Sequence, residues 1–197
     1  MRDFKSKNNF SVKKITLISI FMAIILIQTW IPFLGYIAIP PLNITIIHVT
    51  VILASLVMGG KTGAFIGFFW GLNSLIRAYT IPSSPMYIYI FSSPLVSVLP
   101  RFLMPICLMA ISSAIKNRLT QANYYRLMGL AGALLNTILV LSAIVVFKRE
   151  DYLQIQGASM ANLWSVLMGI ILVNGIPEAI FSAFVMPLLM RAVKQIL

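Results

Sequence analysis

The sequence predicts an all-α membrane protein, a bundle of six transmembrane helices with both termini cytoplasmic, and three observations carry that expectation. Six long apolar stretches fill nearly all of the 197 residues. Sixty per cent of the residues are hydrophobic and only 10% charged, a balance that does not keep a globular domain of this size in solution. The 15 Lys and Arg residues fall mainly on one side of the resulting weave. One integral membrane domain over residues 1–197 accounts for the chain, with residues 1–14 as a basic cytoplasmic N-terminal segment.

The first span runs from about Ile15 to Ile31. Lys13 and Lys14 precede it as in a signal peptide, but Trp30, Ile31 and Pro32 stand where a small-residue cleavage site belongs, so the helix is read as retained. Spans two and three, about Asn43 to Met58 and Thr62 to Arg77, are short against the roughly 20 residues a bilayer core requires. In the third, Gly59, Gly63, Gly67 and Gly71 recur every fourth residue and draw a smooth stripe for close helix packing. Asn73 lies about 200° around from Gly71 and Arg77 follows one turn later, which gives this helix a polar side. Arg77 either faces that interior or snorkels to the outer interface.

Spans four and six, about Ile88 to Ile115 and Asn162 to Ala192, are long enough to tilt, and span five runs from about Tyr124 to Phe147. Deep polar residues mark all three. Arg101 follows Ser97 at helical spacing, Glu178 comes one turn after Asn174, and the Asn136–Thr137 pair shares a face with Gly129 and Gly132. A charge at mid-bilayer costs about 2.5–3.5 kcal/mol, so Arg101 and Glu178 must face protein or a cavity. Either they form a structural ion pair joining spans four and six, or they border a polar pocket in which Arg101 offers a planar cationic fork to a carboxylate. Pro94, Pro100, Pro105 and Pro177 fit kinked or broken helices whose freed backbone groups line such a cavity.

Orientation follows from the charges. Arg2, Lys5, Lys7, Lys13 and Lys14 precede span one, Lys61 joins spans two and three, Lys116, Arg118 and Arg126 flank the fourth connection, and Arg191 and Lys194 close the chain. The other side carries Arg77 alone and a self-cancelling Lys148, Arg149, Glu150, Asp151 cluster. The net charge of +11 therefore reads as a topology signal and a contact for anionic lipid headgroups, not as a nucleic-acid surface.

Metal, redox and catalytic chemistry have little to work with, and no cofactor is expected. Cys107 is the single cysteine and His48 the single histidine. His48 serves either an interhelical hydrogen bond or a ligand pocket. Gly60, Lys61 and Thr62 look like the end of a phosphate-binding loop, but Ser55 stands where that motif requires its leading glycine. Ser113 and Lys116 have the spacing of penicillin-binding enzymes without the supporting motifs, and the Asn43-Ile44-Thr45 sequon opens a hydrophobic helix. An intramembrane enzyme would have only Glu178 and His48 for acid–base work, so the chain is read as a non-enzyme.

Taken together, the run Asn43 to His48, the segment Met58 to Gly63, Gly71 to Ser74, Leu99-Pro100-Arg101, Asn136-Thr137 and Asn174 to Glu178 resemble the substrate-binding S component of an energy-coupling factor (ECF) vitamin transporter, over essentially the whole chain. The pattern is most similar to the pantothenate-type subgroup, which shares much with carriers of hydroxymethylpyrimidine and folate. The resemblance implies a cell-membrane protein that captures a vitamin at the outer face and delivers it by toppling. Energy would come from partners, a transmembrane coupling protein and two cytoplasmic ATPases. Docking in this family uses two alanines four residues apart on helix one, and Ser19 and Ala23 are the nearest match here. Pantothenate has a carboxylate, an amide, two hydroxyls and a dimethyl group. Arg101 would take the acid and Asn73, Asn136, Thr137 and Asn174 the polar groups, with Glu178, His48, Asn43, Arg77 and Tyr87 as further candidates. Trp30, Trp70, Tyr87 and Tyr89 either wall the pocket or anchor the chain at the membrane interface. The loops Ser83-Ser84-Pro85 and Pro32 to Pro41 suit lids over a ligand. The competing expectation is a solitary secondary carrier or channel, although the two halves of the chain share no visible repeat.

Overall fold

A computed structural model describes residues 3–31, 33–39, 42–82 and 84–196, with side chains described from residue 12 on, apart from those of residues 37–44. The order is α1 (Asp3–Trp30), β1 (Tyr36–Ile39), β2 (Leu42–Thr45), α2 (Ile47–Met58), α3 (Gly60–Thr80), α4 (Pro94–Ser97), α5 (Leu99–Ile115), α6 (Gln121–Phe147), α7 (Arg149–Gln156), α8 (Leu163–Ile170) and α9 (Ile176–Ile196). Two π-helical turns, Tyr87–Phe91 and Ile171–Gly175, precede α4 and α9. Among the described residues the regular structure is helical apart from one small antiparallel hairpin.

Among the described residues, four stretches are long and apolar enough to cross a membrane: Val12–Trp30, Pro94–Ile115, Gln121–Phe147 and Met160–Ile196. The second expected span differs most. Its 12-residue helix reaches about 18 Å against a hydrocarbon core of about 30 Å. Every residue from Ile47 to Ser55 is buried, so α2 is an interior helix walled by α1, α3, α5, α6 and α9. It also begins at Ile47 and not at Asn43, which pairs with Ala38 in the hairpin. Branched Ile37, Ile39, Ile44 and Thr45 favour extended backbone there.

Two apolar clusters bracket the middle of the bundle. One joins Phe21 and Ile25 of α1 with α2, Trp70, Met104, Leu108, Met128 and Met186. The other joins Ile90, Val96, Leu141, Ile144, Tyr152, Leu163 and Leu167. On α6, Met128 belongs to the first and Leu141 to the second, with buried Asn136 and Thr137 between them. On α5 and α9 the same interval holds Arg101 and Glu178. A polar band thus lies between two dry layers.

Proline chemistry sets the local backbone of that band. Pro105 inside α5 has no N–H for the carbonyl of Arg101, and Gly67 of α3 packs there so closely that an added Cβ would lie 2.1 Å from that oxygen. Gly63 faces Ser55 and Gly71 faces Val98 in the same manner, so three members of the glycine stripe meet α2, α4 and α5. Gly59 has another position. It joins α2 to α3 at φ 87, a left-handed conformation suited to glycine, and nothing lies within 4 Å of a Cβ built there. Pro177 removes the donor that Val173 would meet in an α-helix, just after the π-helical turn that carries Asn174.

Candidate functional site

A cavity of about 170 Å³ occupies the polar band. Six of the ten residues selected from the sequence as substrate-binding candidates line it: Arg101, Asn136, Thr137, Asn174, Glu178 and Tyr87. They come from α5, α6, the π turn before α9, α9 itself and the π turn before α4.

Arg101 is held by the proline before it. Pro100 cannot donate to the carbonyl of Val96, and the Arg101 guanidinium takes that place, donating from Nη1 at 2.6 Å. The cation also lies 5.2 Å from the centroid of Trp70 and 5.5 Å from that of Phe91. Its Nε has no hydrogen-bond partner although the side chain is buried. Glu178 faces the same cavity from α9 and accepts a 2.7 Å hydrogen bond at Oε1 from the backbone N–H of Thr45. Among the described residues the ion pair is Lys148 with Asp151, so Arg101 and Glu178 share the cavity without the direct bridge that the structural reading required. Asn136 is buried with its Oδ1 unpartnered. An unpaired buried polar group costs about 1–3 kcal/mol, so a donor and an acceptor stand open in one small space.

The other sequence candidates lie outside the lining. Asn73 accepts from Trp30 Nε1 at 3.3 Å and donates to the carbonyl of Phe69 at 2.9 Å, tying α1 to α3. Arg77 donates to the carbonyl of Thr29 at 2.6 Å, near the end of α1, and lies over the Tyr36 ring at 4.7 Å. His48 shares a buried 2.8 Å hydrogen bond with Ser182, an interhelical link between α2 and α9. Asn43 lies in β2 with its side chain outside the described residues. Of the aromatic residues, Trp70 sits beside Arg101 without lining the cavity, and Trp30 and Tyr89 are exposed. Ser84 of the suggested lid loop lines the cavity, and Ser83 lies outside the described residues.

Several lining residues escaped the sequence reading. Tyr36 and Thr45 come from the hairpin, and Tyr36 shares a 3.2 Å hydrogen bond with Ser74. Val140, Leu141 and Ile144 continue the Asn136 face of α6. Tyr152 reaches the cavity from α7, which begins in the charged cluster read only as a connection. Its signal was present: Tyr152, Leu153 and Ile155 are the apolar residues of an otherwise polar helix, and the first two are buried. On α1, Ser19 and Ala23 are exposed one turn apart, on the side away from buried Phe21, Ile25 and Thr29.

A family profile described as "ECF transporter, substrate-specific component" matches residues 13–190. The chain is also similar to "Pantothenate transporter PanT" of Leuconostoc mesenteroides subsp. mesenteroides, with 34% identity over 184 residues and 88% of each chain covered. It is 27% identical over 188 residues to "Pantothenic acid transporter PanT" of Lactococcus lactis subsp. cremoris, covering 86% of this chain and 94% of that one.

Proposed function

The chain belongs to the family of substrate-specific components of ECF transporters, and from that premise we propose that it binds pantothenate in the central cavity and hands it to an energy-coupling module. The observation that carries this reading is Arg101, a buried guanidinium in the cavity wall with an unpartnered N–H and, among the described residues, no carboxylate in a salt bridge with it. An anionic ligand completes that arrangement, because a planar fork suits a carboxylate. Asn136, Thr137 and Asn174 provide neutral hydrogen-bonding groups for an amide and hydroxyls, and Val140, Leu141 and Ile144 an apolar wall for the dimethyl group.

The same proposal extends to topology and partners. Six passes with cytoplasmic termini agree with the distribution of Lys and Arg, if α2 crosses inside the bundle where lipid does not set its length. A transmembrane coupling protein and two cytoplasmic ATPases are the partners, and Ser19 and Ala23 are the proposed contact on α1. Calorimetric titration of the detergent-purified chain against pantothenate, folate, hydroxymethylpyrimidine and riboflavin tests the substrate. One-to-one binding of pantothenate alone is expected, and selective binding of another vitamin replaces it as the cargo. Uptake into liposomes by the chain without partners would favour a solitary carrier.

A further inference from the structure

Resting on the pantothenate reading, the geometry points to Glu178 as the residue that fixes which way round the ligand lies, by accepting a hydroxyl at the end opposite the acid. The two charged walls of the cavity, Arg101 on α5 and Glu178 on α9, are both buried and are not paired with each other. A guanidinium has only donors and a carboxylate only acceptors. They therefore ask for different chemistry: an anion at Arg101, an O–H or N–H at Glu178.

Glu178 is held ready for this role. The Thr45 N–H fixes one carboxylate oxygen at 2.7 Å, and burial keeps water from competing for the other. Asn136, with its Oδ1 unpartnered, adds a second acceptor from α6. Pantothenate carries its carboxylate at one end and its two hydroxyls at and near the other, with one amide N–H between. In one orientation the acid meets Arg101 and a hydroxyl meets Glu178. In the reverse orientation two carboxylates confront each other and the guanidinium meets a neutral hydroxyl oxygen in place of an anion, so it is disfavoured. The same repulsion excludes ligands that are acidic at both ends.

The test is a calorimetric cycle with five ligands and two proteins. The ligands are pantothenate, the alcohol in which its carboxylate is replaced by CH₂OH, the analogue lacking the primary hydroxyl together with that lacking the secondary one, and the diacid in which the primary alcohol is oxidised to a carboxylate. The proteins are the wild-type chain and Glu178→Gln, each checked for folding by thermal melt. Glu178→Gln is expected to weaken pantothenate about tenfold to a hundredfold and the alcohol by the same factor, and to leave one of the two deoxy analogues within about twofold of its wild-type affinity. The diacid is expected to bind the wild type about 100-fold more weakly than pantothenate and to recover in Glu178→Gln. Weakening of pantothenate but not of the alcohol would put Glu178 at the acid end, and equal weakening of every ligand would make it a support for the hairpin; either overturns the inference. If the variant does not fold, the diacid decides on wild type alone, because binding as tight as that of pantothenate overturns it. Failure of the wild type to bind pantothenate is a separate outcome, which removes the functional reading and this inference with it.

Discussion

At the scale of single residues, the site is built from groups whose ordinary partners have been withheld. Val96 loses its helical donor to Pro100 and receives Arg101 instead, while Arg101 retains an N–H with no partner. Arg101→Ala is therefore expected to lower pantothenate affinity at least about 100-fold, in keeping with the 2–5 kcal/mol lost when a buried charge pair is broken. The protein is expected to stay folded despite losing the Val96 hydrogen bond, since among the described residues no carboxylate is in a salt bridge with Arg101. Calorimetry and a melt on the same sample check both halves; loss of folding would restore a structural role. Gly67→Ala is the converse case. Its methyl group would fall 2.1 Å from the Arg101 carbonyl, a backbone atom with little freedom to yield, so a loss of about 1–3 kcal/mol in stability is expected, read as a lowered melting temperature. The sequence made Arg101 and Glu178 legible because a charge among apolar residues has few innocent explanations. It could not separate Asn73 and His48 from Asn136. All three are polar residues in apolar helices, and only packing decides that Asn73 meets Trp30, His48 meets Ser182 and Asn136 faces the cavity.

At the scale of elements, the breaks matter as much as the helices. The π turns Tyr87–Phe91 and Ile171–Gly175 and the short α4 all lie where prolines interrupt donation; the two turns border the cavity through Tyr87 and Asn174, and α4 holds the lining residue Arg101 through the Val96 carbonyl. Pro100→Ala returns an N–H within reach of that carbonyl and so competes with Arg101 for it. The expected outcome is a several-fold loss of pantothenate affinity, about 1 kcal/mol, with stability kept or slightly raised. An unchanged affinity would show that Arg101 needs no such anchor. The hairpin was the element the sequence hid. Ile37, Ile39, Ile44 and Thr45 read equally well as apolar helix, and short apolar runs do not distinguish the two by periodicity alone. Its pairing with α9 through Thr45 and Glu178 is long-range and leaves no local mark.

At the scale of the whole molecule, one face of α1 stands apart from the bundle. Phe21, Ile25 and Thr29 are buried, while Ser19 and Ala23 lie exposed among apolar neighbours such as Ile20 and Ile27. Small residues at that spacing let another helix approach closely. Ser19→Trp and Ala23→Trp are expected to abolish ATP-driven uptake in cells or in liposomes holding the complete transporter. Pantothenate binding by the isolated chain is expected to stay within about twofold, since neither residue lines the cavity. Uptake that survives both substitutions would move the docking face elsewhere. The membrane class, the helical fold and the charged residues that must be sheltered were determined by the sequence alone, because hydropathy and the cost of a buried charge act on composition and order along the chain. Tertiary structure alone decided that α2 runs inside the bundle, that Arg101 and Glu178 share a cavity without bridging, and that the hairpin and α7 help to close it. Those outcomes depend on which faces meet across distant segments, where glycine and proline set how closely backbones approach and which carbonyls stay free.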